Sequence, residues 1–154
     1  MYGSVTVSMA APADRIWELV ANVENIGRFS PETFEAEWLD GAAGPALGAR
    51  FRGHVRRNEI GPVYWTTCRV TACAPDREFG FEVLVGDRAV NNWHYRLSPT
   101  AAGTDVTESF RLNPSPLMSV FAVAGGQLRR RRNLRDMRTT LHRIKNVVEA
   151  SPAG

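Results

Sequence analysis

Hydrophobic and polar residues change period along this chain, and each change marks an element. Val5, Val7 and Met9 alternate with Ser4, Thr6 and Ser8, the two-residue period of a half-buried strand, and Pro12 stops it. Behind Asp14, Ile16, Leu19, Val20 and Val23 recur at three- and four-residue spacing, which predicts an amphipathic helix over 13–23. A second short helical piece spans Glu24 to Phe29. It ends at Ser30-Pro31, because a residue before proline is driven out of the α region.

From 33 to 112 the period returns to two. Clusters of Gly, Pro, Asp and Asn at Asp40–Gly48, Asn58–Pro62, Ala74–Asp76, Gly86–Arg88 and Pro99–Gly103 cut this stretch into six strands. No connection is long enough for a crossover helix, so neighbouring strands should pair antiparallel. Asn113-Pro114-Ser115-Pro116 then supplies a stop, an N-cap candidate in Ser115 and a proline for the first helical position. A helical pattern follows to about Val148, with its apolar seam on Leu134, Met137, Leu141, Ile144 and Val148. Gly125-Gly126 either bends this helix or divides it in two. The expected fold class is α+β: a seven-stranded antiparallel sheet curved around a long C-terminal helix, with two short helices after the first strand. One domain would cover 1–150, with a short tail at 151–154.

Side-chain alternation sorts the strands into two faces. Phe34, Ala36 and Trp38 oppose Glu35 and Glu37, while Phe51, Gly53 and Val55 oppose Arg50, Arg52, His54 and Arg56. Cys68, Val70 and Ala72 oppose Arg69 and Thr71, Phe79, Phe81 and Val83 oppose Glu78 and Glu82, and Trp93, Tyr95 and Leu97 oppose Asn92, His94 and Arg96. In the last strand Val106, Phe110 and Leu112 share their parity with Glu108, which should therefore point inward. An ionised carboxylate in an apolar site is costly unless paired. Glu108 is then a polar anchor for a ligand, a structural ion pair near the sheet edge, or a residue turned outward by a bulge. The inward aromatics either pack as ordinary core or line a cavity, to which Gly125-Gly126 would contribute little bulk. An enclosed volume below about 300 Å3 favours the filled core.

Composition narrows the chemistry. A chain of 154 residues, 44% apolar and 23% charged, carries one core and is neither a disordered nor a collagen-like sequence. The absence of a ~20-residue apolar run and of a basic, then apolar, N-terminus predicts a cytoplasmic protein with at most transient membrane contact. Cys68 and Cys73, five apart on one strand, should face opposite sides and stay reduced. There is no CxxC, HExxH or calcium-loop spacing, and no Gly-x-Ser-x-Gly or Ser-x-x-Lys, so neither a metal, a cofactor nor a marked nucleophile is expected. His54 and His94 fall on the outward parity and His142 off the helical seam.

Charge is uneven. Residues 1–115 hold 11 basic and 14 acidic side chains, residues 116–154 hold 8 and 2, and Lys145 is the one base that is not arginine. That lone, badly placed lysine excludes a Walker loop. Arg129 to Arg132 suggests a phosphate-rich partner, but four consecutive helical residues spread over about 300° and form no stripe. Without interleaved aromatics, no nucleic-acid partner is expected. Stepping back from Leu134, the seam reaches Arg131 or Arg130, which either stays solvated, pairs with the excess acid of the body or reaches a cavity mouth; Arg131 is kept as the ligand-anchoring candidate there.

Several stretches in order carry a family resemblance: Ala11-Pro12-Ala13-Asp14-Arg15-Ile16-Trp17, Ser30-Pro31-Glu32, Gly48-Ala49-Arg50-Phe51, Trp65-Thr66-Thr67-Cys68-Arg69-Val70, Trp93-His94-Tyr95-Arg96-Leu97, Gly103 to Ser109, and Met137 to Leu141 with Ile144-Lys145. The chain resembles the polyketide cyclase/dehydrase-like branch of the SRPBCC (START-like, helix-grip) superfamily, as found in actinobacteria. It departs from the usual pattern at Asn22, where Asp is common, and at Phe29, where Trp often stands.

The resemblance implies a pocket for a hydrophobic small molecule such as a lipid, polyketide or isoprenoid, bound or transferred by a monomer or homodimer. The residues set against that pocket are Phe34, Trp38, Phe51, Phe79, Phe81, Trp93, Tyr95, Glu108, Phe110 and Arg131. The alternative is a polyketide aromatase/cyclase or dehydratase with Glu108, joined by Tyr95, as acid or base.

Overall fold

The computed structural model describes residues 1–56, 60–113 and 119–150. Its elements run β1 (Tyr2–Met9), α1 (Ala13–Ala21), a 3-10 turn (Val23–Asn25), α2 (Ile26–Phe29), β2 (Thr33–Trp38), β3 (Arg50–Arg56), β4 (Val63–Ala74), β5 (Glu78–Val85), β6 (Arg88–Thr100), β7 (Gly103–Leu112) and α3 (Ser119–Ala150). The expected α+β, helix-grip order is the observed one. The cap expected at Ser115, part of the turn at 58–62 and the tail at 151–154 lie outside the described residues. Helix α1 stops at Ala21, short of the periodicity's end at Val23, because the Asn22 side chain leaves the helix to accept the Glu24 N–H and begin the 3-10 turn.

The sheet order is β1-β7-β6-β5-β4-β3-β2, antiparallel throughout. Strands β2 to β7 form a meander, and β1 returns from the other end of the chain to pair with β7 from Tyr2–Arg111 to Met9–Thr104. Helix α3 continues unbroken through Gly125-Gly126 for 32 residues, about 48 Å at 1.5 Å per residue.

Helix α3 and β1 run side by side in the same direction, held by polar contacts at three heights. Arg130 Nε donates to the Tyr2 carbonyl (3.2 Å), Lys145 Nζ to the Ser8 carbonyl (3.0 Å), and the Ala10 N–H to Glu149 Oε1 (2.9 Å). The lengths match: Tyr2 to Ala10 covers about 26 Å at strand rise, and Arg130 to Glu149 about 28 Å at helical rise. Between them Gly3 is required by packing, since a Cβ there would fall 2.6 Å from Phe110 Cε1 and 3.1 Å from Leu134 Cδ2. Met137, Leu141, Ile144 and Val148 then lie buried against the inner face of the sheet.

Two of the three register shifts in the sheet reset the alternation that the sequence suggests. A register shift between Thr33 and Glu35 moves Phe34 to the outer face, where it is 42% exposed and its ring lies 4.3 Å from that of His54. A second shift, between Val70 and Ala72, places Cys73 opposite Phe79 and packs it against the core, while Ala72 moves to the outer side opposite Gly80. Cys68 and Cys73 thus share a face instead of opposing, and both thiols are free. Burial pushes the Cys68 thiol up to about 12, which keeps it protonated and unreactive.

Candidate functional site

Aromatic rings line the inner face in a continuous run. Trp38 meets Phe51 edge-on at 5.7 Å, Phe51 meets Phe81 edge-on at 5.1 Å, and Phe81 lies 6.1 Å from Phe79. Farther along the sheet, Trp93 and Phe110 pair at 5.6 Å. Phe51, Phe79, Phe81, Tyr95 and Phe110 are buried, while Trp38 and Trp93 are half-buried against the core. The bulge in β2 leaves Phe34 outside this set.

Among these rings stands one carboxyl group. Glu108 is 4% exposed and sits on β7, inside the sheet between Val5 of β1 and Tyr95 of β6. It is therefore neither at an edge nor turned out by a bulge. The Tyr95 hydroxyl donates to Glu108 Oε1 at 2.9 Å, while Oε2 is buried and has no hydrogen-bond partner. Among the described residues no cation pairs with this group.

Burial raises the Glu108 carboxyl from its ordinary 4.5 to about 8, against the Tyr95 hydrogen bond, which acts to lower it. Burial first, then the charge and hydrogen bond of Glu108, push the Tyr95 phenol well above its ordinary 10. At neutral pH both groups are thus mainly protonated. Because Oε1 accepts from Tyr95, the carboxyl proton belongs on Oε2, which becomes a buried O–H donor with nothing to donate to. Such a group can hydrogen-bond a carbonyl or hydroxyl oxygen, or deliver a proton to it.

The space beside this pair is small. A hollow of about 20 Å3 lies between Phe79, Phe81 and Tyr95 of the sheet, Leu19, Val20, Val23, Ile26 and Phe29 of the first helices, and Thr140 and Ile144 of α3. That is room for about one water molecule. Of the two readings open for the inward aromatics, an enclosed volume this far below about 300 Å3 favours the filled core. The wall of the hollow is the α1–α2 segment, which reading the strands alone missed; the spacing of Leu19, Val20 and Val23 carried the signal. Gly125-Gly126 does not enlarge the hollow either. Gly125 is exposed with open space around it, and Gly126 lies near Met1.

Polar contacts tie that wall to both neighbours, among them Arg15 Nη2 to the Val148 carbonyl at 3.2 Å, which joins α1 to α3. Arg143 Nη1 donates to the Phe29 carbonyl at 3.3 Å, tying α2 to α3, and the Trp17 indole N–H donates to the Glu78 carbonyl at 3.0 Å, tying α1 to β5. Gly27 lets α2 sit directly on β2, since a Cβ there would fall 2.0 Å from the Phe34 carbonyl oxygen.

Of the roles open to the arginine run, the structure shows a solvated one for Arg131 and an intramolecular one for Arg130. Arg131 is exposed and does not reach the hollow. The seam passes four residues back from Leu134 to Arg130, which bonds to Tyr2, and Arg131 lies about 100° around the helix from it. Arg132 is half-buried, with a buried Nε that has no hydrogen-bond partner. His54 and His94 lie on the outer face against Glu35 (2.7 Å) and Glu78 (3.0 Å). Among the described residues no three His, Cys, Asp or Glu side chains converge as a metal site, and no helix is long and apolar enough to cross a membrane.

A seven-stranded sheet packed on one long terminal helix, with a lone acid among inward rings, defines a helix-grip protein. The chain belongs to the polyketide cyclase / dehydrase and lipid transport family, whose model matches residues 3–149. No curated protein matches it in sequence. Among solved structures it is similar to the Polyketide_cyc-like protein Cgl2372 from Corynebacterium glutamicum (26% identity, TM-score 0.68, covering 97% of this chain and 91% of that one). It shares its fold with the di-domain ARO/CYC StfQ of the steffimycin biosynthetic pathway (12% identity, TM-score 0.78, covering 97% of this chain and 50% of that one). A protein of unknown function from Staphylococcus aureus, SA2116, has the same fold (8% identity, TM-score 0.72, covering 97% and 94%).

Proposed function

We propose that this protein binds a hydrophobic small molecule that carries a hydrogen-bond-accepting oxygen, in an interior that opens when the α1–α2 segment moves away from α3. The observation that carries this reading is Glu108 Oε2, a buried polar atom with no partner in an apolar interior. Leaving such a group unsatisfied costs about 1–3 kcal/mol, a penalty that a bound oxygen would remove. Membership of a family described by lipid transport and by polyketide cyclases supports the same reading. The closed hollow requires displacement of Phe29 and its neighbours. The Arg143–Phe29 bond and the bond from Arg15 Nη2 to the Val148 carbonyl (3.2 Å) resist it. Apolar burial of a few hundred Å2, at about 25 cal/mol per Å2, would supply the remaining affinity.

Native mass spectrometry of the purified protein, and thermal shift with a panel of lipids and aromatic ketones, test this. A copurifying ligand, or a rise in Tm that is lost in Glu108→Gln, is the expected result. An empty protein with no shift, both in the native chain and in Arg143→Ala with its wall loosened, refutes the reading.

One observation favours a second reading, a polyketide aromatase/cyclase or dehydratase. A carboxyl held near 8 beside a phenol is poised to exchange a proton at neutral pH. In that case Glu108→Gln lowers turnover far more than ligand affinity, whereas equal losses favour the binding protein.

A further inference from the structure

Away from the interior, a recess of about 310 Å3 opens where β4 turns into β5, walled by Ala74, Arg77, Glu78 and Arg96. Its backbone is well fixed. The Arg77 N–H donates to the Ala74 carbonyl (3.0 Å) across a turn in which Asp76 takes a positive φ of 65°, and the Arg77 carbonyl accepts the Leu97 N–H at 2.8 Å. Glu78 and Arg96 are direct cross-strand partners, a placement that ordinarily yields an ion pair. Here the pair does not form. Glu78 Oε2 instead meets His94 Nε2 at 3.0 Å, and the Glu78 carbonyl takes the Trp17 indole N–H. The acid closest at hand is engaged elsewhere. Among the described residues, the guanidinium groups of Arg77 and Arg96 have neither an ion pair nor a hydrogen bond.

We propose that this recess is an oxyanion site for the phosphate group of a small phosphorylated molecule, held between Arg77 and Arg96. Guanidinium groups are planar forks of donors that match phosphate and carboxylate oxygens. A phosphate monoester fits better than a carboxylate because its three terminal oxygens and nearly two negative charges can engage two guanidiniums together. The size of the recess, at the low end for small-molecule sites, suits a compact ligand better than a polymer. The recess and the interior hollow share no lining residue, although the Glu78 carbonyl also holds α1 through Trp17.

Titration of the isotope-labelled full chain with glycerol 3-phosphate, followed by amide NMR shifts and with uncharged glycerol as the control, tests the proposal. Saturable shifts at Arg77, Glu78 and Leu97 are expected, with glycerol producing none. Affinity should fall about tenfold in Arg77→Gln or Arg96→Gln, as expected for loss of one charge-assisted contact, and disappear in the double variant. Arg138→Gln, an exposed arginine on α3, should bind as the native chain does. Unchanged amide dispersion outside the recess shows that the variants remain folded. The absence of saturable shifts, equal binding by the double variant, or binding to phosphatidic acid vesicles but not to the soluble monoester overturns the proposal.

Discussion

On the outer face of the sheet, four acids have a basic side chain beside them. Glu37 pairs with Arg52, Glu82 with Arg69, Glu35 with His54 and Glu78 with His94. On the inner face, Glu108 has a phenol on one oxygen and nothing on the other. The side chain is the same and the strands belong to one sheet, yet Glu37 and Glu82 meet guanidinium groups at the surface while the inner acid is pushed to about 8 by burial. A sheet with one wet face and one dry face thus divides its carboxylates into surface ion pairs and a buried neutral acid.

The largest test of this contrast is steric. Phe51, 1% exposed and in edge contact with both Trp38 and Phe81, should cost about 3–5 kcal/mol when changed to Ala, as measured by urea unfolding. Phe34→Ala on the outer face should cost under about 1 kcal/mol. Similar losses at both positions would contradict the assignment of faces.

The second test is pH. Glu108 binds its proton more tightly folded than unfolded, so between pH 4.5 and about 8 the folded state holds more protons, and stability falls as pH rises through that window. The slope attributable to this group is at most about 1.4 kcal/mol per pH unit, and it vanishes above the folded value. Glu108→Gln should flatten that segment of the pH–stability curve. An unchanged curve would mean that the carboxyl is not buried in solution.

Tyr95→Phe sharpens the same point. It removes the one hydrogen bond that favours the Glu108 anion, so it should raise the carboxyl further and cost about 1–3 kcal/mol at neutral pH. Smallest of all is Glu37→Gln, which breaks an exposed pair with Arg52. It should cost about 0–1 kcal/mol, less as salt is added. If its cost matched that of Tyr95→Phe, the contrast between the faces would fail.

Much of this was legible before any coordinates. Pro12, Pro31 and the Gly, Pro, Asp and Asn clusters at 40–48, 74–76, 86–88 and 99–103 punctuate elements whose ends depend on local backbone chemistry, and among the described residues those breaks appear where expected. The inward position of Glu108 followed from parity alone, because β7 pairs in regular register with both neighbours. Parity failed at Phe34, Ala72 and Cys73, each beyond a bulge. A single extra residue inverts every later side chain on a strand, and nothing in the local residue pattern at Thr33–Glu35 or Val70–Ala72 announces it.

The order of elements, their antiparallel pairing and the acid on the dry face were set by the sequence itself, because turn residues and alternation act over a few neighbouring positions. The tertiary structure decided what lies between distant segments: Tyr95 as the partner of Glu108, the α1–α2 segment as the wall that shuts the hollow, Arg130 in place of Arg131 along the seam, and Arg77 with Arg96 around one recess. Those outcomes depend on register and on the angle at which helices settle. Both are chosen by the packing of the whole core and not by any stretch of chain taken alone.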